Sequence, residues 1–114
     1  MKISPNKIWS AAKKVIPGGN GLLSKRPERF TKKYWPTYFS KADGINIWDL
    51  NKKKYTDMSI MGIGTSTLGY RNYLVDKKVK SAIDKSVNTT LNSIDEYLLA
   101  KKILKFDKFA NQVK

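Results

Sequence analysis

The sequence predicts an α/β fold of the α+β kind, with an N-terminal helix, a small antiparallel meander and then two helices. Three observations predict it. Apolar residues recur every three or four positions near both ends of the chain, short β-rich runs flank a glycine turn in the middle, and a capped helix start stands near residue 93. A chain of 114 residues has room for one domain, which could bury roughly two-thirds of the surface that its unfolded form exposes.

The first predicted segment, residues 1–19, is a helix with a proline-glycine end. Ser4 is a typical N-cap residue, and Pro5 fits the first helical position. The apolar residues on one face of this helix are Ile8, Ala11, Ala12 and Val15. Pro17-Gly18-Gly19 is expected to end the helix.

The second and third predicted segments are a loop at residues 20–37 and the meander at residues 38–60. The loop has no clear period but is rich in aromatic residues, so it is expected to lie against the rest of the chain. Strands at Tyr38–Lys41 and Ile45–Leu50 flank a turn at residues 42–44, in which Gly44 supplies a positive φ. A second turn at residues 51–53 leads into a strand at Tyr55–Met58.

The last predicted segment, residues 61–114, is a glycine-rich crossover followed by two helices. The first helix is expected from about Leu74 to Val87. The second begins at the capping box Ser93-Ile94-Asp95-Glu96 and runs toward Asn111 and Gln112. The residues predicted to lie on the apolar faces are Val75, Val79, Ala82, Ile83 and Ser86 in the first helix and Leu99, Ile103 and Phe106 in the second.

Composition excludes several kinds of chemistry. The chain has no cysteine and no histidine, which removes disulfides, thiolate catalysis, the usual zinc sites and any Ser-His or Cys-His pair. No metal site is predicted. The N-terminus lacks the apolar core of a signal peptide, and no apolar run approaches the length of a membrane span, so a cytoplasmic protein is expected.

The formal net charge of +14 invites a nucleic-acid interpretation. However, 20 of the 23 basic residues are lysines scattered along the whole chain, whereas proteins that read bases and phosphates favour arginine. The pattern therefore favours an ordinary solvated basic surface and makes nucleic-acid binding unlikely. A small basic nucleic-acid-binding module or a structural interaction module is the alternative function.

The stretch from Asp57 to Tyr70, DMSIMGIGTSTLGY, is the most unusual in composition. Gly62-Ile63-Gly64 begins like a dinucleotide-binding fingerprint, but the third glycine would fall at position 67, which is threonine. No Gly-Lys-Ser/Thr ending of the phosphate-loop type is present. Spacing alone leaves two interpretations open, a structural crossover and one wall of a pocket.

Seven short features follow one another along the chain, namely Ile16-Pro17-Gly18-Gly19, Ala42-Asp43-Gly44, Ile47-Trp48-Asp49, Tyr55-Thr56-Asp57, Leu68-Gly69-Tyr70, Thr90-Leu91-Asn92 and the capped helix. Their order resembles the N-terminal region of class III PLP-dependent aminotransferases, and most closely the glutamate-1-semialdehyde 2,1-aminomutases and their relatives. The resemblance covers nearly the whole chain.

The resemblance implies a homodimeric enzyme of fold type I that acts on a small-molecule amino substrate, as an aminotransferase or a 2,1-aminomutase, with PLP bound to a lysine. In such enzymes the phosphate-binding loop and this lysine lie beyond the region that the chain matches. We therefore expect no catalytic residue and no certain cofactor-binding residue among these 114 residues, and no activity of the chain by itself.

The resemblance also implies roles for three stretches. The family offers an arginine to a substrate carboxylate in the entrance loop, where an ungapped alignment places Lys25, preceded by Ser24. A tryptophan of the mutases near the substrate is replaced by Met61-Gly62-Ile63, and the histidine that follows the glycine at position 69 in the family is Tyr70 here. The loop at Thr90, Leu91 and Asn92 is expected to approach the active site of the partner subunit.

Overall fold

The computed structural model describes residues 4–31 and 33–114. This part of the chain has an α+β architecture with three α-helices, two short 3-10 turns and a three-stranded antiparallel sheet. Residues 1–3 of the predicted first segment and Lys32 of the predicted loop lie outside the described residues. The chain divides into two compact units, residues 1–76 and residues 77–114, each described here by itself.

Helix α1 (Pro5–Val15) begins and ends as predicted, but it buries a different residue. The Ser4 side chain makes no capping hydrogen bond, although its carbonyl accepts hydrogen bonds from the amides of Lys7 and Ile8. Trp9 is 5% exposed, whereas Ile8 and Val15 of the predicted apolar face are 38% and 80% exposed. The predicted face was wrong because the helix packs through one large aromatic side chain and not through its aliphatic stripe.

The meander consists of β1 (Phe39–Asp43), β2 (Asn46–Asp49) and β3 (Lys54–Thr56), in the order β1-β2-β3. The predicted meander is confirmed. However, Ala42 and Asp43, which were predicted to lie in the turn, belong to β1. Pairing of Asp43 with Asn46 leaves only Gly44 and Ile45 to turn the chain. Gly44 makes this short turn possible because its φ is +55°, in the left-handed region.

Asp49 organises the second turn of the meander. Its buried carboxylate accepts hydrogen bonds from the amides of Asn51 and Lys53, at 2.8 and 2.9 Å, through Oδ1. The hydroxyl of Tyr55 donates to Oδ2 at 3.2 Å. One carboxylate therefore satisfies two turn amides and fixes β3 beside β2, which offsets the cost of its burial.

Helix α2 (Tyr73–Ile83) crosses the boundary between the two units and begins at a side-chain cap. Asn72 Oδ1 accepts hydrogen bonds from the amides of Leu74 and Val75. The helix ends at Ile83, not at Val87, and it buries none of its residues, so the apolar face predicted for it is exposed.

Helix α3 (Ile94–Ile103) confirms the predicted cap only in part. Ser93 Oγ accepts a hydrogen bond from the amide of Asp95 at 3.2 Å. The second bond of a capping box, from the Ser93 amide to the Glu96 carboxylate, is absent among the described residues. The helix ends eight residues before the predicted Asn111, since 111 − 103 = 8. Leu99 and Phe106, predicted to be buried, are 61% and 83% exposed. None of the described helices is long and apolar enough to cross a membrane.

The exposed apolar faces of α2 and α3 predict that the 114-residue chain associates with itself or binds apolar dyes. We expect strong fluorescence of an apolar dye and concentration-dependent sedimentation. Replacing Val79 and Leu99 with glutamate should weaken both, whereas the matched change Ser81→Glu, at an exposed polar position of α2, should not. A sharp two-state melt of a monomer that binds no dye would contradict this prediction.

Candidate functional site in the glycine-rich loop and the entrance loop

The glycine-rich loop, residues 58–69, has both ends attached to the turn between β1 and β2. Tyr70 and Gly44 form an antiparallel bridge, with N–H···O distances of 2.8 and 2.9 Å. The amide of Asp57 donates to the carbonyl of Ile45 at 2.8 Å. Gly69 makes this closure possible, because a Cβ at this position would lie 3.1 Å from the Gly44 carbonyl oxygen.

A side-chain hydrogen bond joins the same two ends. The Tyr70 hydroxyl donates to Asp57 Oδ2 at 2.5 Å. This bond raises the pKa of Tyr70 to about 12 and is the largest cause of the lowered pKa of Asp57. At neutral pH the pair is therefore a neutral phenol donating to a carboxylate, the arrangement of a charge-assisted hydrogen bond.

The interior of the loop adopts a left-handed path. The φ angles of Met61, Gly62, Ile63 and Gly64 are +43°, +75°, +58° and +79°. Two of these four residues carry a Cβ, and a left-handed conformation costs such a residue roughly 1–2 kcal/mol. Ile63 is 82% exposed, so burial of its own side chain does not offset this cost.

The loop predicted at residues 20–37, called the entrance loop after its predicted role, is anchored to α1 through a carboxylate, so it lies against the rest of the chain as predicted. Trp9 Nε1 donates to Glu28 Oε1 at 2.7 Å, and Lys13 Nζ lies 3.2 Å from the same oxygen. These partners, the indole first, lower the pKa of Glu28 from its ordinary value of 4.5 to about 2. The loop itself contains the 3-10 turns Leu23–Lys25 and Pro27–Arg29.

Two glycines after α1 provide space for neighbouring side chains. A Cβ on Gly19 would lie 2.5 Å from the Trp9 ring, and a Cβ on Gly18 would lie 2.0 Å from the guanidinium of Arg26. Both glycines also have left-handed φ angles, +82° and +74°. The Pro17-Gly18-Gly19 turn therefore leaves room for the indole of Trp9 and the guanidinium of Arg26. Arg26 Nε is buried without a hydrogen-bond partner among the described residues.

The predicted substrate-pocket residues fall into two groups. Ser24 and Lys25 lie on the exposed first 3-10 turn of the entrance loop, and Lys25 has no ion pair to another described residue. Met61, Gly62 and Ile63 lie in the left-handed part of the glycine-rich loop. No hydrogen bond between described residues joins these two groups. Tyr70 is half-buried at the base of the glycine-rich loop.

The predicted cross-subunit loop, Thr90 to Asn92, lies in the second unit, before α3. All three residues are exposed. The Thr89 hydroxyl accepts a hydrogen bond from the Leu91 amide and donates to the Leu91 carbonyl, which makes a local turn.

Six of the described lysines lie over aromatic rings. Lys41 and Lys54 flank Trp48, with Nζ 4.8 and 5.8 Å from the ring centroid, and Lys53 lies 5.1 Å from the ring of Tyr55. A nucleic-acid base would have to displace these ammonium groups to stack on the rings. The arrangement therefore gives the nucleic-acid interpretation no specific support.

Sequence reasoning missed Trp9, Glu28, Arg26 and Asp57 as residues that shape these loops. Asp57 had a usable signal, because an acidic residue directly after a strand and before a glycine-rich run often caps the following turn. The contact of Trp9 with Glu28 had no such signal, since 19 residues separate the two positions.

Comparison with known proteins finds relatives among enzymes named glutamate-1-semialdehyde 2,1-aminomutase. The proteins from Wigglesworthia glossinidia brevipalpis and Nitrosopumilus maritimus are each 33% identical, over 89% and 90% of this chain. The protein from Polynucleobacter necessarius is 29% identical over 99% of it. The matched regions are 22%, 23% and 26% of these relatives, so the chain spans about a quarter of their length. No protein-family model matches the chain.

The anchor of the entrance loop predicts a specific acid titration. Because the folded-state pKa of Glu28 lies below 4.5, its contacts stabilise the fold fully above about pH 4.5, and this stabilisation is lost as the pH falls to about 2. Carboxyl NMR should show Glu28 titrating near 2. Trp9→Phe should raise its pKa, because the indole hydrogen bond is the largest single cause of the lowered value, and Lys13→Met should also raise it.

Trp35→Phe is the control for this titration, since Trp35 stacks on Phe30 and does not donate to Glu28. It should leave the pKa of Glu28 unchanged. A wild-type titration near 4.5, or equal effects of the Trp9 and Trp35 changes, would show that the indole does not hold the carboxylate.

Proposed function

We propose that this chain, which is similar over about nine-tenths of its length to enzymes named glutamate-1-semialdehyde 2,1-aminomutase, is the N-terminal region of a class III PLP-dependent aminotransferase of that group and forms its substrate entrance. The single observation that carries the proposal is the similarity over about nine-tenths of the chain to several enzymes with one name. In this proposal the whole enzyme has fold type I, is a cytoplasmic homodimer and uses PLP on a small-molecule amino substrate.

The described residues of this chain do not fit PLP as a resident group. A lysine that forms a covalent bond with a carbonyl is typically desolvated or placed beside another cation. Every described lysine is exposed. We therefore assign the cofactor to a part of the enzyme outside this chain, and we assign to this chain the binding and orientation of substrate.

In the proposal, the entrance loop and the glycine-rich loop form two walls of the substrate pocket. Lys25, with Ser24 beside it, receives an anionic group of the substrate, and Met61, Gly62 and Ile63 border the substrate on the other wall. The contacts that anchor both loops support these roles, because substrate specificity requires groups held in place before binding. Thr90, Leu91 and Asn92 contribute to the dimer interface.

The substrate follows from the side chains at these positions. A lysine offers one flexible charge where an arginine would hold a carboxylate with two parallel hydrogen bonds, so selectivity for a compact carboxylate is lower. Gly62 and its aliphatic neighbours leave more space than a tryptophan. We therefore propose transamination of a larger amino compound, such as an amino sugar, with mutase activity on glutamate-1-semialdehyde as the second candidate.

A chimera tests the entrance role and the function of Lys25. This chain would replace the matched region of the Wigglesworthia glossinidia brevipalpis aminomutase, and kcat/KM for glutamate-1-semialdehyde would be measured. We expect Lys25→Arg to raise kcat/KM by about tenfold, equivalent to about 1.4 kcal/mol of transition-state stabilisation. We expect Lys25→Ala to lower it.

Two controls complete the chimera experiment. Lys14→Arg makes the same exchange at an exposed position in the last turn of α1, and it should leave kcat/KM unchanged. Arg26→Lys tests whether the neighbouring guanidinium performs the role assigned to Lys25. Efficient turnover by the unmodified chimera that is unaffected by Lys25→Ala would contradict the proposed pocket.

The assignment of PLP to another part of the enzyme predicts how this chain behaves with the free cofactor. Because its described lysines are all exposed, PLP should modify many of them weakly and no single one completely. Reduction with borohydride followed by peptide mapping would measure the distribution. Stoichiometric modification of one lysine that survives dilution would contradict this prediction.

A further inference from the structure

We infer that Tyr70 and Asp57 form a clasp that fixes the position of the glycine-rich loop, which makes Tyr70 a positioning residue for the wall formed by Met61, Gly62 and Ile63. The inference rests on the proposed function only where it calls this loop a pocket wall. The clasp goes beyond the resemblance, which places a histidine at the position of Tyr70.

The backbone brings the two ends of the loop to one place. The bridge between Tyr70 and Gly44 fixes the C-terminal end, and the hydrogen bond from the Asp57 amide to the Ile45 carbonyl fixes the N-terminal end. Both anchors lie on the two-residue turn between β1 and β2. The phenol and the carboxylate therefore face each other across the neck of the loop, at 2.5 Å.

A hydrogen bond from the Ser59 amide orients the carboxylate of Asp57 toward the phenol of Tyr70. Its Oδ1 accepts from the amide of Ser59 at 2.8 Å, which orients the carboxylate and directs Oδ2 to the phenol. At neutral pH the Asp57 carboxylate is ionised and the Tyr70 phenol is protonated, and the hydrogen bond between them moves the pKa of each group further from neutrality, lowering that of Asp57 and raising that of Tyr70. Each partner is therefore in the protonation state that the hydrogen bond requires.

The glycine-rich loop needs the hydrogen bond between Tyr70 and Asp57, because the contacts inside the loop do little to fix its position. Its internal hydrogen bonds are short-range, such as Gly64 N–H to Ile60 O at 2.9 Å and Ser66 N–H to Met61 O at 3.2 Å. Its aliphatic side chains do not pack it in place, since Ile60, Ile63 and Leu68 are 72%, 82% and 70% exposed. The left-handed conformation of Met61 and Ile63 favours relaxation once the ends separate.

Amide hydrogen exchange of the 114-residue chain, followed by NMR, tests the clasp. The relevant amides are those of Gly64, Ser66 and Gly69, which donate hydrogen bonds inside the loop. Tyr70→Phe should speed their exchange by about tenfold, as expected for loss of a hydrogen bond to a charged group. Asp57→Asn should have a smaller effect, because its Oδ1 can still accept from the Ser59 amide while its Nδ2 donates to the phenol oxygen. The double variant should exchange no faster than Tyr70→Phe alone.

Tyr55→Phe is the matched control, because it also removes a hydrogen bond from a tyrosine to an aspartate, the one to Asp49 at 3.2 Å. It should leave exchange in the glycine-rich loop within about twofold of wild type. The pKa of Asp57 gives a second readout that a general loss of stability would not reproduce. It should rise toward 3.8 in Tyr70→Phe and stay unchanged in Tyr55→Phe.

Three results would overturn the inference. The first is amide exchange of the loop in Tyr70→Phe that stays within twofold of wild type, and the second is an equal acceleration of that exchange in Tyr55→Phe. The third is faster exchange of the β2 amide of Asp49 together with the loop in Tyr70→Phe, which would show that Tyr70 stabilises the fold as a whole. The measurement needs neither PLP nor substrate. An inactive chimera would therefore count against the proposed function while leaving the clasp to be judged by exchange alone.

Discussion

The close approach of Gly69 to Gly44 is the constraint on which the candidate site depends. The two backbones come so near that a Cβ on Gly69 would meet three backbone atoms of Gly44 at 3.1 to 3.3 Å. This approach allows the bridge between Gly44 and Tyr70, and the bridge in turn places the phenol beside Asp57. Two glycines far apart in sequence thus determine where a loop of otherwise exposed residues lies.

The entrance loop is also positioned by glycines and a carboxylate, but the partner groups are an indole, a guanidinium and an ammonium group. Glycines at 18 and 19 remove two Cβ atoms, and the space is filled by the guanidinium of Arg26 and the indole of Trp9. A carboxylate, Glu28, then joins the loop to α1. In both loops, glycine permits a close approach and an ionised carboxylate holds it, so neither loop depends on a large apolar core.

The exposed apolar surface of α2 and α3 is of the kind that packs against another protein surface. Neither α2 nor α3 buries a residue, although both carry apolar side chains at helical spacing. The related aminomutases are about four times as long as the region they share with this chain. A longer protein or a partner subunit would supply the surfaces that these helices lack, which is the arrangement our proposal assumes.

The sequence by itself determined the type and order of the elements, because helix caps, apolar periods and glycine turns act over a few residues. It placed the start of α1 at Ser4 and Pro5, the three-stranded meander, and the cap of α3 at Ser93. It also drew attention to the stretch from Asp57 to Tyr70, through the density of glycine and hydroxyl residues. The exact turn at Gly44 and Ile45 was missed by two residues, because hairpin register depends on cross-strand pairing.

Only the tertiary structure decided which side chains are buried and which groups meet. Helical spacing predicted burial for Leu99 and Phe106, yet spacing cannot show whether a partner surface exists, and both side chains are exposed. The contacts of Trp9 with Glu28 and of Tyr70 with Asp57 join residues 19 and 13 positions apart. Such pairs leave no periodic trace in a sequence, because their distance is set by how the intervening backbone turns and not by the residues themselves.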